Sequence, residues 1–71
     1  MTETWNQAKA GDAVVGDVVR TERGDVVVVS RIEESFFGNA EMIALIEDTS
    51  ERWYKRPLRL DADVEILVQG D

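Results

Sequence analysis

The sequence predicts an all-β protein, and more narrowly a small five-stranded antiparallel barrel of the SH3-like kind. Two observations support this prediction. Short runs of β-branched and aromatic residues are separated by turn residues about every 8–12 positions, which is typical of a small barrel or sandwich. The Val-rich stretch from Asp17 to Ile32 is interrupted only around Gly24, so it predicts a β-hairpin to which the other strands are added. With 71 residues, the chain has the length of a single domain, residues 1–71.

The N-terminal part of the chain leaves alternatives open. Residues 1–9 are mostly polar, so we expect either a frayed end or a short edge strand with Trp5 tucked under the barrel. In residues 10–17, Asp12 is suited to cap a single helical turn. Alternatively, this stretch is an irregular lead-in that ends in a turn at Gly16.

The hairpin consists of a first strand at Asp17–Thr21 and a second at Asp25–Glu33. Gly24 can adopt a positive φ without steric cost and so allows the chain to reverse. Alternation along the second strand predicts a core-facing set that ends in an apolar residue: Val26, Val28, Ser30 and Ile32. The opposite face carries Val27 and Val29, so we expect it to be covered as well, by the barrel wall, a terminus or another subunit.

Three further strands follow. A turn at 34–39 leads to a strand at Glu41–Glu47, where a helix is the alternative because Ala, Leu, Met and Glu are good helix formers. The next strand, Arg52–Arg56, is expected to stop at Pro57. Residues 58–63 predict a loop or one helical turn, and Val64–Val68 predicts the closing strand with Val64, Ile66 and Val68 inward.

Composition excludes several classes of function. The chain has no Cys and no His, which rules out His-dependent triads, Cys–His dyads and zinc-finger spacings. Asp61, Asp63 and Glu65 supply too few oxygens for a calcium site. We therefore expect no catalytic residues, no cofactor and no metal. The N-terminus does not resemble a signal peptide, and no apolar run approaches the roughly 20 residues of a membrane helix, so we expect a cytoplasmic protein without a membrane partner.

The charge layout singles out residues 52–59. The net charge is −7, from 15 acidic and 8 basic residues, yet this segment holds four basic residues and no acid. On a strand, Tyr54 would lie between Arg52 and Arg56 on one face and could stack on a base or an aromatic side chain, while Trp53 would point into the core. The alternative is that these cations pair with acidic neighbours of the same chain. The candidate partner-binding residues here are Arg52, Tyr54, Lys55, Arg56 and Arg59.

The second candidate is the pair Phe36–Phe37, since two adjacent rings in a tight turn are difficult to bury together. An exposed ring would serve as an anchor for a partner protein. The alternative is that one ring caps the open end of the barrel while the other covers Val27 and Val29.

The lead-in Ala10–Arg20, with its Val-Gly-Asp-Val-Val step, and the closing Asp63–Leu67 resemble small uncharacterised β-barrel proteins of actinobacteria and their bacteriophages. The resemblance implies a barrel fold and a phage or actinobacterial origin, and it transfers no functional residue. We therefore expect a non-enzymatic interaction module that binds a host or viral protein or assembles with itself, for instance as a homodimer. The alternative is a nucleic-acid-related protein, either a single-strand binder or an acidic DNA mimic, although the net charge argues against nucleic acid as a partner.

Overall fold

The computed structural model describes residues 3–68 and folds them into two antiparallel sheets. The seven strands of this part of the chain are β1 (Trp5–Lys9), β2 (Val18–Thr21), β3 (Val26–Val28), β4 (Arg31–Glu34), β5 (Met42–Asp48), β6 (Trp53–Arg59) and β7 (Asp63–Leu67). The first sheet has the order β1-β7-β2-β3 and the second the order β4-β5-β6. Short 3-10 turns occupy Ala10–Asp12 and Phe36–Gly38.

The predicted all-β antiparallel class is confirmed, but the five-stranded SH3-like barrel is not. Residues 3–68 form seven strands, and their two sheets do not close into a barrel. One reason is that the expected strand Asp25–Glu33 is divided. The Val29 N–H bonds to the Asp17 carbonyl, whereas the Ser30 N–H bonds to the Ile46 carbonyl, so the chain leaves the first sheet for the second between these two residues. The other reason is that Trp5–Lys9 forms an edge strand beside β7.

The predicted core-facing set of the hairpin is wrong for its two valines. Val26 and Val28 are 39% and 41% exposed, whereas Val27 and Val29 are buried. The register explains this result, because Val27 pairs with Val19, which is itself fully buried between the sheets. After Val29 the alternation of inward and outward side chains shifts by one residue, and consequently Ile32 packs against the core in β4.

The core lies between the two sheets, and its largest fully buried side chains are Leu45, Val19, Val27 and Val29. Residues 42–48 form a strand rather than the alternative helix, and β5 is the central strand of its sheet. Ile43 and Leu45 belong to the core cluster, while Ala44 and Ile46 are buried on the other face of the strand. Both faces of β5 are therefore covered, as in the centre of a packed sheet.

Strand β6 does not stop at Pro57 as expected, but continues to Arg59. The Thr49 N–H bonds to the Arg52 carbonyl and the Leu60 N–H to the Glu41 carbonyl, and these bonds determine which residue pairs of β5 and β6 are hydrogen-bonded. Pro57 and Ala44 form one of the alternate pairs without such bonds, so the Pro57 nitrogen faces away from β5. Because β6 is an edge strand, no ladder hydrogen bond is lost.

The C-terminal strand departs from its prediction at one end. Val64 is buried and Ile66 packs against the core, as expected. Val68 lies beyond the end of β7 and is exposed, although it was expected to face inward.

Candidate functional site: the aromatic face of the second sheet

Strand β6 directs its two sets of side chains to opposite sides of the second sheet. Tyr54 and Leu58 pack against the core cluster, and Tyr54 pairs in register with the buried Glu47. Trp53 is 60% exposed, which is opposite to the orientation expected from the sequence. Since alternate residues share a face, Lys55 lies on the same side as Trp53. The outward side of β6 therefore presents an aromatic residue followed by a cation.

Tyr54 does not present a free ring between two guanidinium groups. It is half-buried, and the Arg52 guanidinium carbon lies 4.5 Å from its ring centroid. Arg56 shares the inward phase with Tyr54, and its guanidinium group lies 3.6 Å from the Asp25 carboxylate. The three residues expected to stack on a base are thus engaged with other groups of the chain.

Each cation of the segment 52–59 lies beside at least one carboxylate. Lys55 Nζ is 3.0 Å from Glu33 Oε1, and Arg59 contacts both Glu41 and Asp61, at 3.2 and 3.5 Å. The Arg52 guanidinium group is 3.9 Å from the Glu47 carboxylate. The local excess of positive charge in the sequence is therefore compensated by acidic residues from β4, β5 and the flanking turns.

The turn at Phe36–Gly38 holds one aromatic ring in solvent. Phe37 is 92% exposed and has a φ of 57°, a left-handed conformation that costs a non-glycine residue about 1–2 kcal/mol. Ser35, immediately before this turn, has a φ of 51°. The ring centroids of Phe36 and Phe37 lie 4.5 Å apart, and the two ring planes are inclined to each other by 57°. The turn therefore combines backbone strain with an exposed apolar side chain.

Lys55 joins this turn to β6. Its Nζ lies 4.8 Å from the centroid of the Phe36 ring, within the range of a cation–π interaction. The structure thus brings Phe36, Phe37 and Lys55 together on the side of the sheet that also carries Trp53. We call this surface, made of Trp53, Lys55, Phe36 and Phe37, the aromatic face. Of the other predicted site residues, Arg52, Tyr54 and Arg56 make their contacts elsewhere, as described above. Arg59 shares the outward phase of Trp53 but lies at the opposite end of β6, where it contacts Glu41 and Asp61.

Trp53 was missed as a surface residue although the sequence holds a relevant signal. Tyr54 and Leu58 are four positions apart, so on one continuous strand they lie on the same face, and both side chains can pack in a core. A strand that ends at Pro57 excludes Leu58, and residues 52–56 alone do not distinguish the two possible phases. A strand continued through Pro57 would have placed Trp53 outside.

The acidic residues considered for calcium are paired with cations. Asp63 binds Lys9, Glu65 binds Arg20 at 2.8 Å and Asp61 contacts Arg59. The contact with Asp63, chiefly its hydrogen bond, raises the pKa of Lys9 above the ordinary value of 10.5. These carboxylates thus serve as partners in surface ion pairs.

Comparison with known proteins does not assign the chain to a group. No family model matches it, and searches of curated proteins and of solved structures gave no match. Between residues 3 and 68, no helix has the length and apolar character needed to cross a membrane. The candidate site accordingly depends on its geometry.

Proposed function

We propose that the protein is a non-enzymatic binding module that docks on another protein through the aromatic face. The observation that carries this proposal is the state of Phe37, an apolar ring held almost fully in solvent by a left-handed backbone. Such strain persists only where the surrounding structure imposes it, and it is concentrated at functional sites. Trp53 adds a second exposed aromatic side chain on the same side of the molecule.

The chemistry of the aromatic face suits a protein partner. Buried aromatic side chains dominate the energetics of protein interfaces, where each inserts into a desolvated pocket of the partner. The Lys55–Glu33 pair supplies a polar rim next to the rings, and its charges already compensate each other. We therefore expect a partner that offers apolar pockets for the rings of Phe37 and Trp53.

The ion pairs make nucleic acid the less favoured ligand. Binding to a phosphate backbone requires cations that can exchange counterions for phosphates. Lys55, Arg56 and Arg59 would first have to release Glu33, Asp25 and Glu41. The net charge of −7 opposes the approach of a polyanion as a whole.

Self-association is the second candidate, and a different surface favours it. On the outer side of the first sheet, Val18 pairs with Val28 and Trp5 pairs with Leu67. These pairs form an apolar strip across the strands, and Val28 is 41% exposed. A second copy packed on this strip would produce a homodimer and leave the aromatic face open for a partner.

One experiment separates these possibilities. The wild type, the double variant Trp53→Ser/Phe37→Asn and the control Val14→Ser are immobilised and used to capture proteins from lysates of the source cell and, for a phage protein, of its host. Val14 is an exposed apolar residue of the loop before β2, so its replacement removes comparable surface away from the aromatic face. We expect one protein to be retained by the wild type and the control and lost from the double variant.

The proposal is rejected if the double variant retains the same proteins as the wild type. Sedimentation equilibrium of the free proteins tests self-association, which Val28→Thr should weaken and the double variant should not. Fluorescence anisotropy with a labelled single-stranded oligonucleotide tests the nucleic-acid alternative. Binding that weakens as salt rises would support that alternative.

We further infer that the two sheets represent an opened form of an SH3-like barrel, because only Val29 and Ser30 separate β3 from β4. A phage or actinobacterial origin, a cytoplasmic location and a viral or host identity of the partner stay predictions from the sequence.

A further inference from the structure

A groove lies where the inner side of β4 and β5 meets the loop before β2. Its volume is about 270 Å³, and its lining is mostly apolar: Gly11, Ala13, Val15, Ile32, Glu34, Ile43 and Leu60. Ala13 and Ile43 belong to the core cluster, so the floor of the groove is continuous with the core. On the rim, Val15 is 63% exposed and Leu60 is 38% exposed. The groove is therefore an apolar concavity that is open to solvent.

The walls of the groove are held in place by hydrogen bonds. The Gly11 N–H bonds to the Leu60 carbonyl at 2.9 Å, which ties the loop to the end of β6. Asp17 accepts a hydrogen bond from the Val14 N–H, and Asp12 accepts one from the Lys9 N–H. A pocket that is formed before binding loses less conformational entropy when a ligand enters.

Glu34 gives the groove its charge. It shares a strand face with Ile32 and pairs in register with Ile43, so an exposed carboxylate lies at the end of β4 on the side of the sheet that carries the core. Among the described residues, no Lys or Arg makes an ion pair with Glu34, whereas seven of the eight basic residues pair with other acids. The lining residues thus combine apolar surface with one uncompensated negative charge.

We propose that this groove is a second docking site, which takes a basic peptide segment of another protein. A large aliphatic or aromatic side chain of the segment enters between Val15 and Leu60, and a neighbouring Lys or Arg pairs with Glu34. Charge complementarity supports this occupant, since the groove offers a carboxylate and the whole chain is acidic. The site is separate from the aromatic face, which lies on the opposite side of the second sheet.

The test uses a random peptide library as the probe, selected against the folded wild-type protein. The enriched peptides are synthesised and titrated into the wild type, Glu34→Lys, Gly11→Val and the control Trp53→Ser. A Cβ at Gly11 would lie 3.3 Å from the side chain and the carbonyl oxygen of Leu60, so a larger side chain crowds two lining residues and changes the shape of the groove. Circular dichroism and thermal melts establish that each variant is folded before it is titrated.

We expect enriched peptides with net positive charge and at least one large apolar side chain. Their affinity should fall about 10-fold or more in Glu34→Lys, fall clearly in Gly11→Val and weaken as salt rises. Trp53→Ser should bind them like the wild type. This control separates the groove from the aromatic face, so either proposal can fail alone.

Four results overturn the proposal. The first is that no peptide is enriched, and the second is that the enriched peptides are acidic. The third is binding that Glu34→Lys and Gly11→Val leave unchanged. The fourth is a dimer in sedimentation experiments that Val15→Ser dissociates, because the groove would then be filled by a second copy of this chain.

Discussion

The carboxylate of Glu47 accepts a hydrogen bond of 3.0 Å from the backbone N–H of Val28. Glu47 is a buried residue of the second sheet, and Val28 belongs to the edge strand of the first. The side chain therefore satisfies a backbone donor on the free edge of β3, which pairs only with β2 in the first sheet. The sequence placed Glu47 at the end of a predicted strand and gave it no further role, whereas the structure shows a buried acid that joins the two halves of the fold.

This contact predicts a difference between two substitutions at one position. Glu47→Ala leaves the Val28 N–H without its acceptor, and we expect the free energy of unfolding to fall by about 1–3 kcal/mol. Glu47→Gln keeps an acceptor oxygen of the same reach and should cost less. Denaturant unfolding measures both variants, and hydrogen exchange should show faster exchange of the Val28 amide in Glu47→Ala alone. Equal losses in the two variants would instead assign the effect to the charge beside Arg52.

The parts of the fold that the sequence predicted are those set by local chemistry. Gly24 has a φ of 94°, which explains why the first hairpin turns at this position. The strand at 42–48 follows from a short apolar run between two turns. Two adjacent aromatic residues beside Gly38 indicated that both rings are difficult to bury in a tight turn, but not that Phe37 is the exposed one.

The errors concern features decided by tertiary contacts. Residues 26–29 are four valines, so both faces of this strand are apolar in the sequence. Only the pairing of Val27 with Val19 decides which face is buried. The chain crosses to the second sheet at Ser30, where the Ser30 N–H bonds to the Ile46 carbonyl. No local sequence pattern predicts this hydrogen bond. Pro57 is tolerated because β6 is an edge strand, a property that appears only when the strand order is known.

The position of Pro57 predicts how the protein avoids pairing along β6. Its nitrogen points away from the sheet, where any other residue would present a free N–H to a neighbouring molecule. Pro57→Val should therefore promote concentration-dependent association along this edge, which sedimentation velocity over a dilution series measures. Glu33→Val serves as the control, because it adds the same side chain to the sheet without a new backbone donor. Equal association of both variants would attribute the effect to surface hydrophobicity.

The ion pair of Lys9 and Asp63 predicts a pH dependence at alkaline pH. The pKa of Lys9 is raised above 10.5 in the folded protein, so the charged form is favoured by folding. This contribution is fully present below the unfolded value and is lost as pH rises through the higher folded value. Asp63→Asn should return the pKa of Lys9 toward 10.5 and remove that part of the alkaline decline in stability.

The measurement for this pair is an NMR titration of the Lys9 side chain in the wild type and in Asp63→Asn. Asp61→Asn is the control, since Asp61 is a lesser cause of the shift. A pKa for Lys9 that is the same in the wild type and in Asp63→Asn would show that the contact does not hold in solution.

The strained turn predicts that a substitution at Phe37 removes binding without lowering the stability of the fold. Asn adopts left-handed backbone conformations more readily than Phe, so Phe37→Asn relieves part of a cost of about 1–2 kcal/mol. The loss of the contact with Phe36 offsets part of this gain, at about 0.5–1.5 kcal/mol. We therefore expect the free energy of unfolding to be unchanged or slightly higher in Phe37→Asn, while capture of the partner protein is lost.

In Leu45→Ala, by contrast, the free energy of unfolding should fall by about 2–5 kcal/mol, because Leu45 is fully buried. If Phe37→Asn is instead destabilised by as much as Leu45→Ala, the ring supports the fold and the strain at this turn has a structural explanation.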